Sequence, residues 1–317
     1  MFPPGLSMLW ESTDPRRALQ ARFGFDGYDH AVAWLTTALV RAWAIDVLAC
    51  ERILISAGNA IAWLRTDRGT LVAKWSGARH RFDRLVAVAD LLPVVHERGV
   101  PVAPPLPSID ARHRVILDSG ASPLSMSVHP HVVGDLLDIV DETAVRRAGA
   151  CLASLHRALA VHRDGRLTEV GSVDLRHRVE EWLGGGDTGV APAASARLRD
   201  QVASLPSVDR APQLIHADYR ASNILTVGSE VRAVLDFDGV TWDHCVTDLA
   251  NAFVRLGTHF TDWRPTPARV RDTLLEGYQS VRPLSRLEHE WLRAITLWYG
   301  IMAVPAGDDP VGWADAL

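Results

Sequence analysis

The side chains with the most chemical potential crowd into one short stretch, Leu214-Ile215-His216-Ala217-Asp218-Tyr219-Arg220-Ala221-Ser222-Asn223-Ile224-Leu225. It reads H-x-D-x-x-x-x-N between apolar pairs that suit short strands. Thirteen residues past Asn223, Val234-Leu235-Asp236-Phe237-Asp238-Gly239 is a second apolar strand ending in an acid. An Asp and an Asn five residues apart on one rigid loop can face a hydroxyl and a metal ion respectively. An Asp closing an adjacent strand adds the carboxylate that magnesium demands. These are the few parts phosphoryl transfer needs, since it rests on positioning and charge neutralisation. A loop with capping Asp and Asn side chains is the blander alternative; it leaves the apolar brackets and the second strand-plus-acid unexplained.

A fourth residue stands out by rarity. Of the 33 basic residues only Lys74 is a lysine, and it ends the apolar run Thr70-Leu71-Val72-Ala73-Lys74-Trp75. A compact ammonium and a planar guanidinium are not interchangeable. One lysine kept in an arginine-rich chain therefore points to a position where arginine does not serve.

The elements that must hold these residues change character along the chain. Residues 14–43 carry helical spacing after the Asp14-Pro15 start. Arg52 to Ser56, Ile61 to Thr66 and Thr70 to Trp75 read as three antiparallel strands, with the small-residue loop Ser56-Ala57-Gly58-Asn59-Ala60 between the first two and Asp67-Arg68-Gly69 as the next turn. Leu85, Val88, Leu92 and Val95 form one helical stripe, with Pro93 inside it and Gly99 beyond. Val115 to Leu117 and Leu124 to Val128 predict two more strands. From Gly134 to Ala160 the pattern is mainly helical, Leu214 to Val234 holds short strands and loops, and helices fill the rest to Trp298. Strands first and helices later predict an α+β fold of two lobes, a β-rich N-lobe and a mainly helical C-lobe. The expected divisions are a helical extension over residues 1–44, a nucleotide-binding N-lobe over 45–130, and a C-lobe over 131–317 with the catalytic loop and acceptor site.

On these motifs the chain resembles the aminoglycoside phosphotransferase and choline-kinase-like branch of the protein-kinase fold, over roughly residues 50 to 300. The resemblance implies Asp218 as catalytic base, Asn223 and Asp236 as metal ligands, His216 as a brace of the loop, and Asp248 as a structural acid tying that loop down. It places Lys74 on the nucleotide phosphates, Ser56, Gly58 and Asn59 in an abbreviated nucleotide loop, and Val128 and His129 near adenine. Leu152-Ala153-Ser154-Leu155-His156 is similar to the family's L-A-x-L-H helix. The family pairs its lysine with a glutamate on the following helix; here Val88 falls near that position, with Asp83 and Asp90 the only nearby acids before Glu97. The implied reaction moves the γ-phosphoryl group of ATP or GTP, with Mg²⁺, to a hydroxyl of a small molecule. An aminoglycoside-like antibiotic leads, with choline, homoserine, sugar and macrolide-type acceptors as alternatives. A nucleotide-binding regulator with weak catalysis is a reading of a different class.

Other signals carry less. Gly184 to Gly189 spells G-x-G-x-x-G but follows a helical stretch instead of a strand, so the dinucleotide context is missing. His129-Pro130-His131 has no partner at metal-ligand spacing, and there is no G-x-S-x-G elbow for serine hydrolysis. Trp242, Trp291 and Trp298 read as core before acceptor platforms. Asp243, Glu276, Asp308 and Asp309 read as solvated surface charges. A net charge of −5 argues against a nucleic-acid partner. Three scattered cysteines, no basic-then-apolar leader and no membrane-length apolar run predict a cytoplasmic chain with no membrane partner.

Overall fold

The computed structural model describes residues 5–167, 174–185, 190–260 and 262–317. Of the glycine-rich run at 184–189, Gly186 to Gly189 lie outside the described residues. The chain divides into two compact units, Met1–Glu97 with Val102–Val132, and Arg98–Pro101 with Val133–Leu317.

The first unit is built on a six-stranded sheet in the order β1-β2-β3-β4-β6-β5. Its strands are β1 (Gly5–Met8), β2 (Val47–Ile55), β3 (Asn59–Thr66), β4 (Gly69–Ser76), β5 (Val115–Asp118) and β6 (Pro123–Pro130). β2, β3 and β4 form the antiparallel meander read from the sequence. Gly69, at φ 94°, turns β3 into β4 where a side chain would be strained. β1 was not expected; it pairs parallel with β2. Two helices, α1 (Pro15–Phe23) and α2 (Tyr28–Trp43), precede the meander, and α3 (Phe82–Glu97) follows it. Asp14 caps α1 by accepting from the Arg17 amide at 2.9 Å.

The period of two along each strand decides which side chains share a face. Ala62, Leu64, Ala73, Trp75 and Val128 join one buried cluster with Leu19, Phe23, Leu35, Leu39 and Trp43 of α1 and α2. Burying each large apolar side chain is worth about 1.5–3 kcal/mol, so these helices are the covering layer of one sheet face. Residues 5–44 pack within the same compact unit as the sheet. Lys74 alternates with Ala73 and Trp75 and lies on the other face, opposite Ser127 in register.

In the second unit the helical pattern read from Gly134 begins late. β7 (Asp135–Leu136) comes first and pairs with β9 (Ile224–Val227). A Cβ at Gly134 would lie 2.8 Å from the Thr226 carbonyl oxygen, so only glycine lets the chain approach β9 this closely as it enters β7. α4 (Glu142–Leu159) starts only after Asp141, whose carboxylate accepts from the Thr143 and Ala144 amides. There follow α5 (Leu175–Gly184), α6 (Pro192–Ser204), β8 (Gln213–Ile215), β9, β10 (Glu230–Val234), β11 (Thr241–Asp243), α7 (Cys245–Arg255), α8 (Ala268–Val281) and α9 (Arg286–Ala303). β10-β9-β7 make one small sheet and β11-β8 another. Among the described residues no helix is long and apolar enough to cross a membrane.

Glycine inside a helix costs about 1 kcal/mol against alanine, so Gly149 of α4 and Gly277 of α8 need a packing reason. A Cβ at 149 would stand 2.0 Å from the Leu274 carbonyl oxygen, and one at 277 would stand 1.8 Å from that of Arg146. The two helices touch backbone to backbone. Gly277→Ala must push them apart, and overpacking costs about 1–3 kcal/mol or more. Thermal unfolding should show that loss; an unchanged midpoint would mean the helices are not in contact.

Candidate active site

The polar motif sits on a loop between β8 and β9, and its shape is imposed from below. Asp248, in the first turns of α7, is fully buried. Its carboxylate accepts from the His216 amide at 2.9 Å and the Ala217 amide at 2.9 Å. One turn on, Asn251 donates from Nδ2 to the Ala217 carbonyl at 2.7 Å. Ala217 itself is held at φ 65°, a left-handed conformation that costs a residue with a Cβ roughly 1–2 kcal/mol. Three hydrogen bonds to two residues keep it there.

The buried carboxylate is compensated by His156 of α4. His156 Nε2 lies 3.0 Å from Asp248 Oδ2, and Nδ1 lies 2.8 Å from the Tyr278 hydroxyl of α8. Burial pushes the Asp248 carboxyl up, but the hydrogen bond and charge of His156, with the amide donors, hold it below its ordinary value. Burial works against charge on His156, while Cys245, Tyr278 and Asp248 raise it well above the usual imidazole value. Of those three neighbours the Asp248 carboxylate carries the full negative charge.

His216 is buried against Phe237, ring to ring at 4.7 Å. Its Nε2 reaches the Leu235 carbonyl at 2.9 Å, while its Nδ1 accepts from the Asp218 amide at 3.2 Å. That pattern puts the ring proton on Nε2 and ties the loop to the strand leading into Asp236. Tyr219, also buried, donates to the Ala148 carbonyl of α4 at 2.8 Å. So pinned, Asp218 remains partly exposed, at 31% of its side chain. Asn223 Nδ2 donates to Asp218 Oδ2 at 2.8 Å and to the Asp218 carbonyl at 2.9 Å. With its nitrogen so engaged, the Asn223 side-chain oxygen makes no hydrogen bond among the described residues and is available as a hard ligand. Arg220 Nε stands 3.1 Å from Asp218 Oδ1. Burial pushes the Asp218 carboxyl up, Arg220 opposes that shift, and the neighbouring Asp236 charge adds to it. Asp236 is itself left-handed, at φ 58°. Two carboxylates that disfavour one another beside an amide oxygen make a donor set that fits an oxygen-seeking divalent cation.

The first unit holds the other expected residues. The loop from Ser56 to Ala60 is a tight hairpin: the Ser56 amide donates to the Asn59 carbonyl at 2.8 Å, and Ser76 Oγ donates to the Gly58 carbonyl at 2.8 Å. Arg22 of α1, ion-paired with Glu11, donates to the Ser56 carbonyl at 2.8 Å. Lys74 is half-buried on β4. Val88 is buried in α3, and Asp90 Oδ1 lies 3.2 Å from His113 Nδ1. Val128 faces the α1–α2 core, and its carbonyl accepts from the Leu106 amide at 2.7 Å. His129 bridges the Ala103 carbonyl and Ser127 Oγ, each at 2.9 Å.

Arg220 and Asn251 carry no role in the sequence reading, although each was findable. Arg220 sits inside the motif, and Asn251 follows Asp248 by three, one helical face. Asp243, read as a surface charge, is instead buried and paired with Arg178 at 2.6 Å. Trp291 is fully buried as expected of core, whereas Trp242 is half-buried under the Arg163 guanidinium at 4.8 Å.

The buried Asp248–His156 pair generates a pH prediction. A carboxyl depressed by folding contributes stability that is full above its unfolded pKa, about 3.9, and lost as pH falls toward the folded value. An imidazole raised by folding contributes fully below about 6.5 and loses that contribution only as pH climbs through its raised value. The pair is therefore intact across the window between. Asp248→Asn should lose about 3–5 kcal/mol near pH 6, the usual cost of breaking a buried pair. Urea unfolding should show the gap to wild type persisting from pH 6 to about pH 4 and narrowing only below that; a gap that stays constant in stronger acid would contradict an ionised Asp248.

The chain is similar to known phosphotransferases. A model of the phosphotransferase enzyme family matches residues 50–293. An uncharacterised protein of Synechocystis sp. is 26% identical over 224 residues, which are 65% of this chain but only 58% of that relative's length. A homoserine kinase of Methylobacillus glycogenes is 27% identical over 237 residues, 71% of this chain and 67% of that enzyme. In structure, an amicoumacin kinase in complex with AMP-PNP, Ca²⁺ and Ami superposes with a TM-score of 0.59 at 16% identity, over 91% of this chain and 90% of that one. At that identity the likeness is one of fold, the kinase-like α+β fold of small-molecule phosphotransferases.

Proposed function

The chain belongs to the phosphotransferase enzyme family, and we propose that it transfers the γ-phosphoryl group of ATP or GTP to a hydroxyl of a small molecule, with Asp218 as base. The observation that carries this reading is the loop geometry: a partly exposed carboxylate held by Asn223 at 2.8 Å and fixed from beneath by Asp248. An acceptor hydroxyl gives its proton to Asp218 as its oxygen bonds to the γ-phosphorus. The bond from that phosphorus to the bridging oxygen breaks, and the nucleoside diphosphate leaves with the electron pair. Burial raises the Asp218 carboxyl, which makes it a better proton acceptor than a solvated aspartate. Arg220 opposes that rise. Asn223 and Asp236 would hold magnesium, which supplies charge neutralisation on the phosphates. Lys74 would grip those phosphates, and Ser56, Gly58 and Asn59 would lie along them.

Two acceptor classes follow from the family. One is an aminoglycoside-like antibiotic, a polycation that wants unpaired acids. Three acids of the second unit are matched: Asp243 by Arg178, Glu276 by Arg146, and Glu288 by Arg282 and Arg210. The other class is a small hydroxyl metabolite with little positive charge, of which homoserine is one example.

A coupled assay of diphosphate release across homoserine, choline, sugars, macrolides and aminoglycosides identifies the acceptor. On it, Asp218→Asn should keep its fold and lower transfer by about 10²- to 10⁴-fold. Asp236→Ala should lose more than Asp238→Ala, with the loss tracking magnesium concentration. Near wild-type turnover by Asp218→Asn would sink the base assignment, and inactivity confined to Asp238→Ala would move the metal site.

A further inference from the structure

The second unit holds a cleft of about 450 Å³ away from the catalytic loop. That size lies within the range of small-molecule sites, about 300–1,000 Å³. α7 separates the two regions. Its Asp248 and Asn251 side chains bond the loop at Ala217, whereas Phe253 and Val254 line the cleft. At about 100° per residue, Phe253 points roughly 140–200° away from those two.

The lining is amphipathic. Phe253, Leu292, Leu297 and Trp313 give it an apolar floor. Arg197, Arg271 and Arg293 stand against one acid, Asp272, in a chain whose net charge is −5. Arg197 donates to the Leu317 carbonyl at 2.6 Å, and His289 is bonded to Gln279 Oε1 at 2.9 Å. Arg271 and Arg293 have neither ion pair nor side-chain hydrogen bond among the described residues. Two lining side chains also carry buried atoms with no hydrogen-bond partner, Thr296 Oγ1 and Gln201 Oε1. A buried polar atom left unsatisfied is costly, and of these two only the Thr296 hydroxyl is a donor that an anion could satisfy.

We propose that this cleft is a second ligand site, taking a small organic anion whose carboxylate or phosphate meets Arg271 and Arg293 and whose apolar body lies on Phe253, Leu297 and Trp313. The Thr296 hydroxyl donates to the anion, which satisfies it. The guanidiniums recognise carboxylate and phosphate by the same two-pronged geometry, so the two head groups are separated by measurement. The site is independent of the phosphotransfer reading, because binding needs neither nucleotide nor acceptor.

Titration calorimetry with octanoate, octyl phosphate and octyltrimethylammonium tests it on the full chain. Wild type should bind one or both anions at one site and ignore the cation. The double variant Arg271→Gln with Arg293→Gln should bind at least tenfold more weakly while unfolding at the wild-type temperature, and Thr296→Val, nearly isosteric, should weaken binding several-fold. Which head group binds more tightly names the ligand class. Absence of anion binding by wild type, equal binding of the ammonium probe, or unchanged affinity in both variants would overturn the proposal.

Discussion

One buried carboxylate organises the candidate active site. Asp248 is wholly removed from water and would be intolerable as a bare charge. It is stabilised by two backbone amides of the loop above and by His156 below. The stabilisation runs both ways: the amides that quiet the charge belong to His216 and Ala217, so the loop is held as firmly as the charge needs partners. Ala217 stays left-handed under that tension, and Asp218, the next residue, is aimed without touching Asp248 at all.

The support extends outward through α4 and α8. His156 and the Ala148 carbonyl that anchors Tyr219 both lie on α4, and Tyr278 lies on α8. These helices can serve one site because Gly149 and Gly277 let their backbones meet. Two glycines with no chemistry of their own thus set where the polar groups sit. In the first unit a comparable role falls to α1 and α2, which cover one sheet face and leave Lys74 on the other.

What was legible in the sequence was what lies close along the chain. H-x-D-x-x-x-x-N, the strand that stops at Val234 two residues short of Asp236, the meander around Lys74 and the stripe of α3 are all short-range patterns, and the α+β class followed from their order. The misses are long-range or very short. His156 meets Asp248 across 92 residues and Arg178 meets Asp243 across 65, so no local spacing tells a buried pair from a surface acid. β1 has four residues and β7 has two, too few for a period to show. The pattern from Gly134 reads as helical because nothing nearby along the chain reveals that β9 presses on it.

In the proposed reaction Asp218 is a base and not a nucleophile, so that the phosphoryl group passes to the acceptor in a single in-line displacement. The direct measurement is the stereochemical course with nucleotide made chiral at the γ-phosphorus by oxygen isotopes, followed on the phosphorylated acceptor. Inversion of configuration is the predicted result. Retention would require a phosphorylated enzyme intermediate, and would contradict the role drawn from the loop that Asp248 holds in place.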